Sequence, residues 1–351
     1  MNLALSEPVL KLNQKESLTS AEMNEAMEAI VTGQVPDAQI EEFLLRLREK
    51  GETVEEIVAA AKVMRKYAVK FSKHYSGLLD TCGTGGDQSH TLNVSTLASL
   101  VAAAGGLKVA KHGNRSISSV SGSADLLEAL GIPLTLSVEK VEACLQKTGF
   151  CFLFAPNFHP AMRHVMAARR KIQGKTIFNI LGPLSNPAEP DYQVIGVYHR
   201  DLLQVVAEVL CQLGTKRSLV LHSEDGLDEI SICAATFMKE VSNGKIKDLK
   251  VEPEDFETKG KKYRVRASSL HNIQFHSKEQ LLSASIQIIK GGFGESWDAD
   301  HIVCANAAAA FYVAGKAKSF RDGFERADHI IADRTLEHKV KQIKEFCFKV
   351  S

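Results

Sequence analysis

Apolar residues recur at three- and four-residue spacing through the first seventy positions, and each such stretch carries its own start and stop signals. Thr19 to Glu22 reads TSAE, a capping box whose hydroxyl and carboxylate satisfy the first free N–H groups of a helix. Met23, Met27 and Ile30 then share one face before Gly33. Pro36 and Asp37 open a second helix, with Ile40, Phe43, Leu44 and Leu47 on one stripe and Gly51 past its end. Thr53 to Glu56 opens a third, carrying Ile57, Ala61, Met64 and Tyr67. The pattern predicts a small helical unit whose job is packing.

From about residue 76 the period changes. GLLDTCGTGGD reads as a short apolar strand entering a glycine loop, and NVSTLASLVAAAGG as an alanine-rich helix with a glycine stop. LKVAKHGNR is a second strand and loop, and SADLLEALG a second helix. Residues 150–155, 193–198 and 218–223 add strand candidates between helical stretches. This alternation predicts the α/β class with a mostly parallel sheet. In such sheets ligands bind where loops leave the carboxyl ends of strands. The charged segment 237–275 predicts a strand-rich meander with surface turns.

Composition narrows the class. Of 351 residues, 44% are hydrophobic and 24% charged, enough for a substantial buried core. Forty-three basic residues against 42 acidic ones leave a net charge of +1, without the basic excess of a nucleic-acid groove. The opening MNLALSEPVLKLNQKE lacks the sustained apolar core of a signal peptide, and no apolar run reaches spanning length. Neither a nucleic acid nor a membrane is an expected partner. The seven cysteines, at 82, 144, 151, 211, 233, 304 and 347, form no C-x-x-C pair. That usage predicts reduced cytoplasmic thiols rather than a disulfide framework or a zinc site.

The loops carry the chemistry. CGTGGD, Cys82 to Asp87, lets backbone N–H groups approach an anion at the positive end of a helix. It has no G-K-[ST], and Gln88 stands where a G-x-G-x-x-G pattern needs its third glycine. HTLNVST, His90 to Thr96, adds hydroxyls and Asn93 at the next helix start, which suits a pyrophosphate. Capping by Thr91 or Asn93 is the plainer use of the same residues. KHGNRSISSVSGS is a second anion cradle, with Lys111 and Arg115 for charge, Ser118, Ser119, Ser121 and Ser123 for hydroxyls, and Ser123 as an N-cap. EDGLDE, Glu224 to Glu229, places Asp228 and Glu229 side by side, hard oxygen ligands of the kind Mg²⁺ shares with substrate phosphates. FAPNFHPAMRHVMAARRKIQGK has an extended approach holding His159 and Pro160, then a basic helix with Arg163, Arg169 and Arg170. An Arg brought to a pocket from it can hold a carboxylate bidentately. NILGPLSNP continues as a Gly/Pro loop suited to a wall or hinge.

Taken together, these stretches resemble one family. DTCGTGGD, NVST, KHGNRSISS, SGSADLLEALG, FAPNFHPAM, TIFNILGPLSNPA and DGLDEIS occur in the order seen in anthranilate phosphoribosyltransferases. The likeness runs from about residue 15 to 330, with its most specific motifs between 80 and 231. It implies a fold of nucleoside phosphorylase/phosphoribosyltransferase type. A helical domain, residues 1–72 with about 163–187, joins an α/β domain, residues 73–162 and 188–351, with a mostly parallel central sheet. It also implies a homodimer and a Mg²⁺-dependent reaction of tryptophan biosynthesis. There 5-phosphoribosyl 1-pyrophosphate and anthranilate give N-(5-phosphoribosyl)anthranilate and pyrophosphate.

Carried over motif by motif, Gly83, Gly86, Asp87 and Thr91, with Asn93, Val94, Ser95 and Thr96, would line the phosphoribosyl pyrophosphate site. Lys111, His112, Gly113, Asn114, Arg115 and Ser116, then Ile117, Ser118, Ser119 and Ser123, would complete it. Ser95, Asp228 and Glu229 would bind Mg²⁺, and Asn114 and Arg169 would contact anthranilate, Arg169 through its carboxylate, with Gly83 nearby. Catalysis would rest on Lys111 and Arg115 stabilising the departing pyrophosphate, and on Asn114 and Arg169 positioning the amine. The aromatic amine is neutral near pH 7, so a strong general base is not essential, and the role of His112 stays open. Cys82 has no evident base partner that would make it a nucleophile.

Two positions depart from the family pattern: Val120 between SS and SGS, and Ser223 where a glycine is expected before EDGLDE. The extreme C-terminus matches poorly and receives no function. Two rivals are weaker. A pyrimidine nucleoside phosphorylase would carry KHSTGG and GHTGG elements, and this chain has neither. A non-catalytic nucleic-acid-binding relative would need neither the near-neutral charge nor DGLDE.

Overall fold

The computed structural model describes residues 5–85, 91–116, 120–257, 265, 267, 269–291 and 297–350. Four helices come first: α1 (Ser6–Asn13), α2 (Ser20–Val31), α3 (Asp37–Lys50) and α4 (Val54–Lys66). Both capping boxes form, with Thr19 accepting from Glu22 N and Thr53 from Glu56 N. Glu56 does more than cap. Wholly buried, it accepts from Leu18 N at 2.8 Å and from Lys50 Nζ at 2.7 Å, tying α3 and α4 to the α1–α2 connection. Helix α1 was not expected, because eight residues that bury only Pro8 and Leu12 leave too short a pattern to read.

The α/β part then runs β1 (Leu78–Gly83), α5 (Val94–Ala104), β2 (Lys108–Gly113), α6 (Ser123–Ala129), α7 (Val138–Thr148) and β3 (Phe150–Phe154). Three helices follow, α8 (Ala155–Phe158), α9 (Arg163–Lys171) and α10 (Ile177–Leu184), before β4 (Tyr192–Gly196), α11 (Leu202–Gln212) and β5 (Arg217–Ser223). A hairpin of β6 (Thr236–Ser242) and β7 (Lys245–Val251) closes the strands, and α12 (Lys278–Ile289), α13 (Trp297–Val313), α14 (Phe320–Ala332) and α15 (Thr335–Val350) end the chain.

The sheet order is β3-β2-β1-β4-β5-β6-β7. The first five strands are parallel, and β6 and β7 are antiparallel. The chain moves outward one way through β1, β2 and β3, then restarts beside β1 with β4. The switch point, where a crevice opens at strand ends, therefore lies between β1 and β4.

Several local expectations change. The meander reduces to one hairpin, turned at Asn243 and Gly244, whose φ of 50° and 72° match a two-residue hairpin turn. The approach to α9 is not extended: Ala155–Phe158 and Pro160–Met162 form short helical turns. Much of the proposed Gly/Pro loop is helix α10, with Pro183 inside its last turn.

One sheet face is covered by α5 and the C-terminal helices, with Ala305 and Ala307 to Ala310 of α13 fully buried in a core shared with α5. The other apolar core joins α1–α4, Val165 and Ala168 of α9 and Ile177 and Leu181 of α10 to Ile195, Val220 and α11. The two helices from the middle of the chain thus pack on the N-terminal helices.

Asp300, in α13, is buried, and neither of its carboxylate oxygens has a hydrogen-bond partner among the described residues. Burial, and then Asp328, push its carboxyl from 3.8 up to about 7. Between those values the native state holds a proton that the unfolded chain releases, so stability falls as pH rises through that window. Asp300→Asn should melt above the parent chain at about pH 8, with the gap closing towards about pH 5. A pH-independent gap in thermal denaturation would mean that packing, not charge, sets the cost.

Candidate active site

Strand β1 ends at Gly83, which pairs in register with Gly196 at the end of β4. The two glycines form a saddle, and the loop after β5 lies across it. A Cβ on Gly196 would stand 1.5 Å from Asp228 O, and one on Gly83 would stand 2.4 Å from Asp228 Oδ2. Only glycine permits that approach. Asp228 Oδ2 accepts from Gly85 N at 2.9 Å, and Glu229 Oε1 accepts from Ser95 N at 3.1 Å. The Glu229 carboxylate thus meets a first-turn N–H of α5, at the positive end of that helix.

The acidic loop is held from behind. Asn306 of α13 accepts from Ile230 N at 2.9 Å and donates to Ile230 O at 3.0 Å. Ser223, the departure from the family pattern, donates to Glu229 O at 2.6 Å and accepts from Ser231 N at 3.1 Å. Where glycine is expected, this chain has a brace. Thr81, Ser95, Gly196, Glu229 and Asn306 line a small cavity here.

Strand β2 sends consecutive side chains to opposite faces. Lys111 is buried and donates from Nζ to the Thr81 carbonyl and, at 3.4 Å, to Ser95 Oγ. Burial pushes its ammonium pKa down, against the pull of Asp80. It therefore acts on the site through Ser95. His112 turns to the other face, where its Nδ1 lies 2.6 Å from Asp80 Oδ2. Asn186, fully buried, donates to the same Asp80 oxygen at 2.8 Å and to Ala110 O at 2.9 Å. Burial opposes ionisation of Asp80, yet His112, Lys111 and Asn186 together hold its carboxyl below the usual range. Asp80, Cys82 and His112 converge closely enough to raise the question of a metal. The donors do not fit one: Asp80 Oδ2 is already shared by two partners, and burial keeps the Cys82 thiol protonated by raising its pKa.

The second loop folds back on α6. A Cβ on Gly113 would stand 2.1 Å from Ser123 Oγ, and Asn114 O accepts from Ser123 Oγ and Ala124 N, each at 3.2 Å. Ser123 is not the N-cap of α6. Gly122, in extended backbone, takes that place, and Asp125 Oδ2 accepts from Gly122 N at 2.8 Å and Ser116 N at 3.4 Å. Arg115 is exposed and bidentate to Glu128 at 2.8 and 2.9 Å, with Asp125 at 3.3 Å. It reaches a diphosphate only by leaving Glu128.

Asn93 is the N-cap residue of α5, but its side chain makes no cap bond and donates to Ser121 O at 2.9 Å, joining the two loops. Its Oδ1 is buried without a partner among the described residues. Thr91 bridges to Gln274. Val94 and Thr96 are each 1% exposed, and their N–H groups donate to Leu92 O at 2.7 Å and Asn93 O at 3.0 Å. Gly86, Asp87, Ile117, Ser118 and Ser119 lie outside the described residues.

Arg169 sits near the end of α9, its guanidinium 5.3 Å from the Phe178 ring centroid. Burial pushes its pKa down, and among the described residues no acidic group offsets that. His159, between α8 and α9, is driven to about 4 by burial and then by His112, so it is neutral near pH 7. Sequence reasoning missed Asp80, Asn186, Gly196 and Asn306. The one signal for Asn306 was a lone amide in the apolar run CANAAAAF.

Comparison with known proteins identifies the family. Residues 75–334 match the a/b domain of a glycosyl transferase family, and residues 9–68 match its helical bundle domain. An anthranilate phosphoribosyltransferase of Alkalilimnicola ehrlichii is 45% identical over 324 residues, 92% of this chain and 93% of that protein. One from Marinomonas sp. is 44% identical over 337 residues, 95% of each. The crystal structure of the Thermus thermophilus enzyme superposes with a TM-score of 0.88 at 39% identity, covering 97% of this chain and 99% of that one. The Saccharomyces cerevisiae enzyme in complex with PRPP and Mg shares the fold at 23% identity, with a TM-score of 0.88 over 99% of each chain. On these matches, and on a strand-end site built as described, the chain belongs to the anthranilate phosphoribosyltransferase family.

Proposed function

We propose that this chain joins the phosphoribosyl group of 5-phosphoribosyl 1-pyrophosphate to the amine of anthranilate, releases pyrophosphate, and uses Mg²⁺ in doing so. The observation that carries the reading is the meeting of Asp228 and Glu229 with Gly85 N and Ser95 N, across the saddle of Gly83 and Gly196. Two carboxylates and the Ser95 hydroxyl are hard oxygen donors suited to Mg²⁺. When bound there, the ion would neutralise charge on the leaving diphosphate.

The chain's own groups do the rest. The main-chain N–H groups of Gly85 and Ser95 fix the Asp228 and Glu229 carboxylates, a preorganised array that water need not rebuild. Lys111 fixes the Ser95 hydroxyl from behind. Arg169, a partly buried cation with no acid among the described residues to offset its burial, holds the anthranilate carboxylate, and Asn114 with Gly83 shapes the space between. The same reading takes Gly86, Asp87 and Ile117 to Ser119 as part of the phosphoribosyl site.

The reading includes a homodimer, which the family resemblance supports, and a cytoplasmic setting, which seven cysteines outside any disulfide support. No helix among the described residues is long and apolar enough to cross a membrane. The division into a helical domain, residues 1–72 with about 163–187, and an α/β domain is supported by the packing of α9 and α10 on α2–α4.

The test is direct. The purified chain, mixed with 5-phosphoribosyl 1-pyrophosphate, Mg²⁺ and anthranilate, should consume anthranilate fluorescence, and folded protein that turns nothing over overturns the reading. Arg169→Ala should raise the anthranilate KM roughly ten- to hundredfold, the worth of a charged hydrogen bond, and leave the KM for the sugar diphosphate unchanged. An unaltered anthranilate KM removes Arg169 from the acceptor site.

A further inference from the structure

The function of the pair Asp80–His112 is not accounted for by holding a diphosphate. Asp80 lies inside the sheet, 0% exposed, with its carboxylate kept ionised by His112, Lys111 and Asn186. An ionised carboxylate can only accept hydrogen bonds. At 2.6 Å from Oδ2, Nδ1 of His112 must therefore carry a proton. The backbone N–H of His112 also points to Asp80, at 3.4 Å from Oδ1, and Asn186 locks the carboxylate from a third side. The imidazole is fixed in position and in tautomer. In the neutral ring Nε2 is then the lone-pair acceptor, without a partner among the described residues.

His112 lies on the sheet face turned towards the helical layer, with Asn114 two residues on. The charged and titratable groups around it are Asp80 and Cys82 from β1, Lys111 on the opposite face of its own strand, and His159 from the α8–α9 connection. Of these only Asp80 bonds it, and His159 is neutral near pH 7. A proton arriving on Nε2 would make an imidazolium paired with a buried carboxylate, which is the stabilisation that arrangement supplies.

We infer that His112 takes the proton released by the acceptor amine, and that Asp80 is its positioning residue. The inference rests on the phosphoribosyl-transfer reading above. As the amine nitrogen bonds the anomeric carbon, the bond from that carbon to the diphosphate oxygen breaks and its electron pair leaves with the diphosphate. The nitrogen then carries one proton in excess. That proton passes to His112 Nε2 and is returned to solvent once product has left. A weakly basic aromatic amine needs no deprotonation before attack. In a closed site, though, the ammonium it becomes needs somewhere to send its proton.

Three enzymes, the wild type, Asp80→Asn and His112→Ala, are compared with both substrates saturating and Mg²⁺ present. Asp80→Asn keeps the shape but can donate to Nδ1, which moves the ring proton to Nε2 and removes the acceptor. Each variant should lose about a hundredfold or more in kcat, with both KM values within about twofold of wild type. Added imidazole should restore turnover to His112→Ala, and substituted imidazoles should do so in order of their basicity, a response that a loop-shaping role cannot give. Near-wild-type kcat in either variant overturns the inference. So does a loss confined to KM, or a loss that no imidazole repairs. If Asp80→Asn fails to fold, the rescue series on His112→Ala decides alone. Wild-type turnover in the same assay tests the reaction itself, and only the ratio of variant to wild type tests the pair.

Discussion

Removing Asp228 and Glu229 together, as the double alanine variant, is expected to lower turnover by about three orders of magnitude, since single preorganised groups at developing charge are each worth about 10²–10³. The size follows from what the two side chains hold. Asp228 fixes Gly85 N and Glu229 fixes Ser95 N, so the variant strands two main-chain donors as well as losing the oxygens proposed for Mg²⁺. Initial rates across a Mg²⁺ titration are the measurement. The deficit should persist at saturating metal, and circular dichroism should show a native fold. Only a few-fold deficit would mean that the pair merely caps α5 and the β1 loop.

The second large effect is expected from a single methyl group. Gly196→Ala places a Cβ 1.5 Å from the Asp228 carbonyl oxygen and 2.5 Å from its carbon, and both obstacles are backbone. The acidic loop must lift from the saddle, at a cost of about 3 kcal/mol or more for overpacking that no rotamer can relieve. Turnover should fall at least about a hundredfold, because the displaced loop carries both carboxylates. Gly182→Ala is the control: nothing lies within 4 Å of its added Cβ, so rate and melting temperature should stay close to wild type. A Gly196→Ala enzyme with normal rates would show that the loop does not need its seat on β4.

What the sequence discloses here is local, and what it conceals is distant. The capping boxes at Thr19 and Thr53, the stripe Ile40 to Leu47 and the strands entering CGTGGD and KHGNR are all patterns within a dozen residues. They can be read because helix and strand periods repeat over that span. Ser123 misled at this same scale, since serine is a good N-cap and only the backbone of Asn114 to Ser116 pressed against Gly122 shows why glycine takes the place. The contacts that build the site join residues far apart: Gly85 with Asp228 across 143 positions, Ser95 with Glu229 across 134, Asp80 with Asn186 across 106. No period announces such a contact. Gly196 reads as an ordinary strand residue until the loop that rests on it is seen. Helix α13 was silent for a related reason. The run Ala307 to Ala310 of α13 is small and apolar on every side, so it shows no stripe, and its use emerges only where α5 packs against it.

The opposite aim of Lys111 and His112 gives the spacing before them a meaning of its own. Adding or deleting one residue between Gly106 and Lys111 while the strand keeps its hydrogen bonds would swap the faces they point to, turning the imidazole to the α5 side and the ammonium to the Asp80 side. Every ligand-facing residue type would survive such an indel, and the chemistry would be inverted. In this fold, the parity of β2 is as much a part of the site as any of its side chains.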